Sequence, residues 1–149
     1  MSRRDERGFT LLEVLVAMGI VALLVSFAVA GYSSQLQQAR RQDALNALFS
    51  IANAEKQYYM DNQLDPAART YTTDITALTV GLPVAGGVVH SREGHYDLSV
   101  TACADAPITS CFVVAAVARA DSPQARDQTC HTLSVDSRSR RTPDVADCW

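Results

Sequence analysis

GFTLLEVLVAMGIVALLVSFAVAGY, residues 8 to 32, decides how the rest of the chain is read. It is apolar throughout except for one charge, Glu13, and it follows three arginines, Arg3, Arg4 and Arg7. As a helix, Phe9 to Tyr32 extends roughly 36 Å, against about 30 Å for the hydrocarbon core of a bilayer. The basic flank belongs on the cytoplasmic side, which directs the following residues outward. A carboxylate in lipid is costly unless it reaches the interface or meets a cation. The charge pattern alone leaves both readings of Glu13 open. A general secretory signal competes for the segment, since SFAVAG offers small residues for cleavage.

The chain has 149 residues and a formal net charge of −3. Without leader and anchor, about 115 residues remain, enough for one small domain with a modest core. The acidic balance gives no support for general nucleic-acid binding but leaves room for a local basic patch. Four cysteines, Cys103, Cys111, Cys130 and Cys148, all fall in the last third. An even number outside the cytoplasm reads as disulfides. Three connectivities exist, and the expectation is the sequence-local pair, Cys103–Cys111 and Cys130–Cys148. Zinc is poorly supported, because there is no CxxC and the histidine spacing fits no metal motif.

From Phe9 there is no proline until Pro66. Leu45, Leu48, Ala52, Glu55 and Tyr59 recur at helical spacing, widened by Leu36, Phe49 and Tyr58. Arg40, Arg41, Asp43 and Lys56 lie mostly off that stripe. The expectation is one helix from about Phe9 to Asn62, roughly 80 Å long, apolar all round in its first half and amphipathic in its second. Residues 63 to 93 read as a connecting region. Within it Thr73 or Asp74 caps a short turn, Gly81-Leu82-Pro83 stops it, and Gly86-Gly87 marks a loop. HYDLSVTA and TCHTLSVD alternate as half-buried strands, and CFVVAAVA reads as the central, best-buried one. The fold class is therefore α+β, with three or four antiparallel strands packed on the helix stripe.

GFTLLEVLVAM after a short basic leader resembles the signature of type IV pilins, shared with the pseudopilins of type II secretion. The succession NAEKQYYMDN, YTTDITAL, HYDLSVTA, DQTCHTLSVD and a final DCW is similar to PilE-type minor pilins of type IVa systems. The resemblance implies the type IV pilin fold, with a long N-terminal helix, a small antiparallel sheet and a disulfide-closed C-terminal region. It implies a leader at 1–8, a transmembrane or filament-core half-helix at 9–32, an amphipathic half at 33–62 and the globular remainder at 63–149. It further implies cleavage between Gly8 and Phe9 by an inner-membrane prepilin peptidase and N-methylation of Phe9. Glu13 would then meet the N-terminal amine of a neighbouring pilin. Major pilins often carry proline where Ala30 stands and glycine where Ala22 stands. Gly31 remains here, so the extent of helix melting is left open. Members also commonly have glycine in the turn where Asp136-Ser137-Arg138 stands, which points to a different turn.

The resemblance implies a minor pilin subunit serving pilus assembly, adhesion or twitching motility. Its localisation is the inner membrane with a periplasmic domain before assembly, and the extracellular pilus afterward. One alternative is a DNA-binding receptor pilin for transformation, and another is a type II secretion pseudopilin. For DNA the candidate residues are Arg138, Arg140 and Arg141, with Arg119 and Arg126 in the preceding loop; the competing reading is a solvated turn. His90, His95 and His131 read as surface residues, Tyr58 and Tyr59 as core, and Trp149 as packing back on the sheet. Asp61, Asp65 and Asp74 raise a calcium site, as major pseudopilins hold calcium in a C-terminal loop, but the C-terminal loop here is disulfide-closed and lacks a dense oxygen-ligand cluster. No catalytic set, cofactor or metal is expected.

Overall fold

The computed structural model describes residues 9–61 and 69–149, with backbone alone for 28–31. The leader, Gly8, Asn62, Asp65 and Pro66 lie outside the described residues, as does the side chain of Ala30. One helix, α1, spans Leu11–Asp61, close to the expected limits. The chain divides into two compact units at Leu36/Gln37.

In the first unit the apolar side chains are open to the surroundings. Phe9, Leu11, Leu12, Leu15, Met18, Leu23, Leu24 and Phe27 are all exposed. Among the described residues no single helix is long and apolar enough to cross a membrane; Leu11–Phe27 and Tyr32–Asp61 meet that test only when taken together.

The second unit has a core between the later turns of α1 and one sheet. Its strands are β1 (Val84–Ala85), β2 (Val88–His90), β3 (Tyr96–Ala102), β4 (Phe112–Ala118), β5 (Thr132–Asp136) and β6 (Arg141–Thr142). They run in sequence order, every neighbouring pair antiparallel. Six strands among the described residues replace the three or four expected. The added ones, β1, β2 and β6, are two or three residues long, too short to show an alternating pattern. Gly86-Gly87, expected as a loop, is the two-residue connection of the β1–β2 hairpin, with φ of 60° and 81°. Two successive positive φ values suit a turn whose twist matches the strands, and glycine adopts them without strain.

Period-two burial places Tyr96, Leu98 and Val100 of β3 against Phe112, Val114 and Ala116 of β4 and Leu133 and Val135 of β5. Ala44, Leu45, Leu48, Ile51 and Ala52 close the same core from α1. Burial of apolar area of this kind is the main stabilising contribution. β4 is central, as its composition suggested. Its other face is not covered, however: Val117 is exposed, so the run is half-buried rather than buried on both sides. Phe49 also departs from expectation, being 39% exposed and off the buried stripe.

The 3₁₀ turn Ile75–Ala77 has Asp74 as its cap, the side chain accepting from the Thr76 amide. Tyr71 fastens the connecting segment. Its ring stacks on Tyr59 and meets Phe112 edge-on, both at 4.7 Å, and its amide donates to the Ile108 carbonyl. The disulfides are Cys103–Cys111 and Cys130–Cys148, as the sequence-local pairing expected.

Candidate functional site

The helix start is organised by Thr10. Its hydroxyl oxygen accepts from the Glu13 amide at 3.2 Å, and its carbonyl accepts from the Val14 amide. Thr10-Leu11-Leu12-Glu13 thus has the spacing of a capping box, with Glu13 in the first turn, where the helix dipole favours an anion. Phe9, Glu13, Val14, Ala17, Met18, Val21 and Ala22 line one groove along this apolar surface. A helix exposing such a face is incomplete without lipid or other helices. Gly8 is outside the described residues, so the Gly8–Phe9 junction is not described.

The arginines of the C-terminal region are not a bare cluster. Arg138 donates to Asp105 at 2.7 Å, and Arg140 donates through Nε to Asp136. Asp136 also accepts from the amides of Arg138 and Arg140, which closes the β5–β6 turn without glycine. The left-handed position, φ 66°, falls to Ser139. Burial pushes the Asp136 carboxyl up, but hydrogen bonds from the Arg140 amide and guanidinium outweigh it and hold the group below its usual range. The Arg138 hydrogen bond does the same for Asp105. Arg141 has a different setting: its guanidinium carbon lies 5.6 Å from the Phe49 ring centroid and 5.4 Å from that of Trp149. Arg119 is turned to Asp121 at 2.8 Å and lies 3.7 Å from Asp97.

Other placements extend or correct the sequence reading. Arg41 and Asp43, read as lying off the apolar stripe, are engaged by residues far along the chain. Arg41 makes a two-pronged contact with Asp127 at 2.6 and 2.9 Å, and it donates to the Asp147 carbonyl at 2.8 Å. Gln124 and the Cys130 amide donate to the same carboxylate, while the Asp43 carboxylate accepts from the Glu93 amide. Packing against the loop of residues 123–130 makes this part of the helix polar but buried, a partner that helical periodicity does not reveal. His90 is buried beside Asp97 at 2.8 Å rather than on the surface. His95 lies 3.0 Å from the Ser122 hydroxyl, whose oxygen also accepts from the Gln124 amide as the cap of the following 3₁₀ turn. Tyr58 is half-buried against the core, and the Trp149 indole donates to the Pro143 carbonyl at 2.7 Å.

Glu55 is fully buried, accepting from the Thr72 amide at 3.0 Å, and its other oxygen has no partner among the described residues. Burial pushes its carboxyl up, partly offset by the Thr72 bond. Asp136 lies close to Cys103 and Cys111, but both sulfurs are spent in a disulfide and offer no thiolate to a metal.

A long apolar helix start with a capped lone glutamate, joined to a disulfide-closed antiparallel sheet, defines a pilin-like assembly subunit. Residues 30–134 match the family described as type IV minor pilin ComP, DNA uptake sequence receptor, and residues 3–29 match the prokaryotic N-terminal methylation motif. The chain belongs to this type IV minor pilin family, and its fold is that of a type IV pilin. Among curated relatives, type II secretion system core protein G of Vibrio cholerae is 36% identical over 95 residues, covering 62% of this chain and 61% of the relative. Fimbrial protein EcpC of Eikenella corrodens is 26% identical over 91 residues, covering 61% of this chain and 56% of the relative. The chain thus spans about three fifths of the curated relatives it matches. A solved type IV pilin from Shewanella oneidensis aligns over 76% of this chain and 97% of that one, at 25% identity and a TM-score of 0.49.

Proposed function

We propose that this protein is a structural minor pilin, incorporated with other pilins into a type IV pilus and supporting assembly, adhesion or twitching motility. The carrying observation is the first unit: an exposed apolar helix whose sole charge, Glu13, sits in its first turn. Residues 1–8 act as a leader, cut between Gly8 and Phe9 by a prepilin peptidase, with N-methylation of Phe9. Residues 9–32 serve first as inner-membrane anchor and then as filament core, 33–62 as the amphipathic half of the helix, and 63–149 as the periplasmic, later extracellular, head. The work is packing rather than catalysis. Apolar helix surfaces bury against one another, and Glu13 neutralises a neighbour's amine. Glu13→Gln is expected to leave membrane insertion intact and to abolish recovery of the subunit in sheared pili. Normal recovery would return Glu13 to a helix-capping role alone.

The family match favours a second reading, a receptor pilin that binds DNA. A deletion strain separates the two. Loss of surface pili supports the assembly role, whereas normal pili with lost transformation supports the receptor. The similarity to type II secretion core protein G keeps a pseudopilin role as the competitor, decided by which assembly system lies beside the gene.

A further inference from the structure

We propose that Arg141, held between the rings of Phe49 and Trp149, is the residue through which the C-terminal surface grips a DNA phosphate, and that Arg138 and Arg140 instead hold the fold. The proposal rests on the receptor reading and narrows it to one guanidinium.

Arg138 and Arg140 already spend donors on Asp105 and Asp136, so a phosphate must compete with a carboxylate for them. Among the described residues no carboxylate or carbonyl accepts from Arg141. Its charge faces the π clouds of Phe49 and Trp149. Such contact is attractive, yet it uses no N–H donor, so the edge of the guanidinium stays available for an oxyanion. The two rings come from different elements. Phe49 stands on α1 beside fully buried Leu48, and Trp149 is tied by its indole bond to Pro143 and by the neighbouring Cys130–Cys148 bridge. A guanidinium oriented in this way loses less freedom on binding than a flexible one.

Arg141 opens onto a groove of about 890 Å³ that also carries the hydroxyls of Ser134, Ser139 and Thr142. These are neutral donors suited to phosphate oxygens. Asp105, Asp136 and Asp144 line the same groove. Against these three carboxylates stand only the guanidinium groups of Arg140 and Arg141, so the groove is no general basic field, and a phosphate contact there depends on one oriented group.

The test is fluorescence anisotropy of the full chain in detergent with a labelled DNA duplex, across a salt series. Arg141→Gln is expected to weaken binding roughly tenfold and to lower the salt slope by about one ion. Arg141→Lys keeps the charge but not the planar fork, and it should not restore affinity. Phe49→Leu and Trp149→Ala remove no charge yet should weaken binding several-fold; Phe49→Leu stays informative if Trp149→Ala disturbs the fold. Equal losses for Gln at 138, 140 and 141, or full rescue by Arg141→Lys, would overturn the proposal in favour of a diffuse charge field. No binding by the unaltered chain at low salt would remove the receptor reading itself, and the proposal with it.

Discussion

Leu15 and Leu48 stand on the same helix, yet Leu15 is 63% exposed and Leu48 is 0% exposed. The same division separates two carboxylates: Glu13 is exposed at the helix start, while Glu55 is enclosed beneath Thr72. The first unit leaves its apolar surface uncovered and its charge without a basic partner among the described residues. The second covers its apolar surface with a sheet and pairs several of its charges internally, Arg41 with Asp127 and Arg140 with Asp136 among them. A helix can carry both because helical hydrogen bonding is satisfied locally, whatever surrounds it. What differs is the second solvent that each stretch requires. Residues 37–61 find theirs within the chain, and residues 11–27 must take it from outside.

The strongest way to break this contrast is to remove a buried charge from the second unit. Asp127→Ala deprives Arg41, Gln124 and the Cys130 amide of a shared acceptor. Leaving one partner of a buried pair uncompensated costs about 3–5 kcal/mol. A large fall in the melting temperature of the detergent-solubilised chain is expected, with membrane extraction unchanged. A loss below about 1 kcal/mol would mean that the pair behaves like a surface salt bridge.

A smaller effect comes from the leucine pair itself. Leu48→Ala is expected to destabilise the sheet unit by about 3 kcal/mol, through lost burial and a residual cavity. Leu15→Ala should leave that melting transition within about 0.5 kcal/mol, the range of a surface change. On the proposed filament role, its consequence should appear as reduced incorporation into pili. Equal destabilisation by the two substitutions would show that the apolar start contributes to the folding of the head.

How much of this was legible follows the same physics. The helix, the core strands and the disulfide pairs were readable because each rests on a local or periodic signal: apolar spacing, alternation, or cysteines near in sequence. The hairpin of β1 and β2 and the edge strand β6 were not, since two or three residues carry no period. The partners of Arg41 and Asp43, and the burial of His90, were not legible for another reason. These three side chains meet Asp127, Glu93 and Asp97, and for Arg41 that partner lies 86 residues away. The arginine group was visible as composition, whereas the division between Arg138 and Arg140 on one side and Arg141 on the other depends on neighbours brought in by α1 and the second disulfide.

The smallest expected effect sharpens the comparison most, because one chemical change is made at both glutamates. Burial, the larger cause, raises the folded-state pKa of Glu55 above the ordinary carboxylate value. Below the unfolded pKa both states hold the proton and no penalty arises. As pH rises through the folded pKa, the unfolded chain releases its proton more readily, and that part of the stability is lost. Glu55→Gln removes the titration, while the amide oxygen can still accept from Thr72. The variant should therefore melt higher than the unaltered chain at about pH 8, with the gap closing toward about pH 4. A gap independent of pH would mean that Glu55 stays ionised at no cost, which its partnerless oxygen argues against. Glu13→Gln, made in the same background, should leave this pH profile unmoved and, on the proposed pairing with a neighbour's amine, change incorporation instead, whereas at Glu55 the carboxylate burdens the fold of one chain.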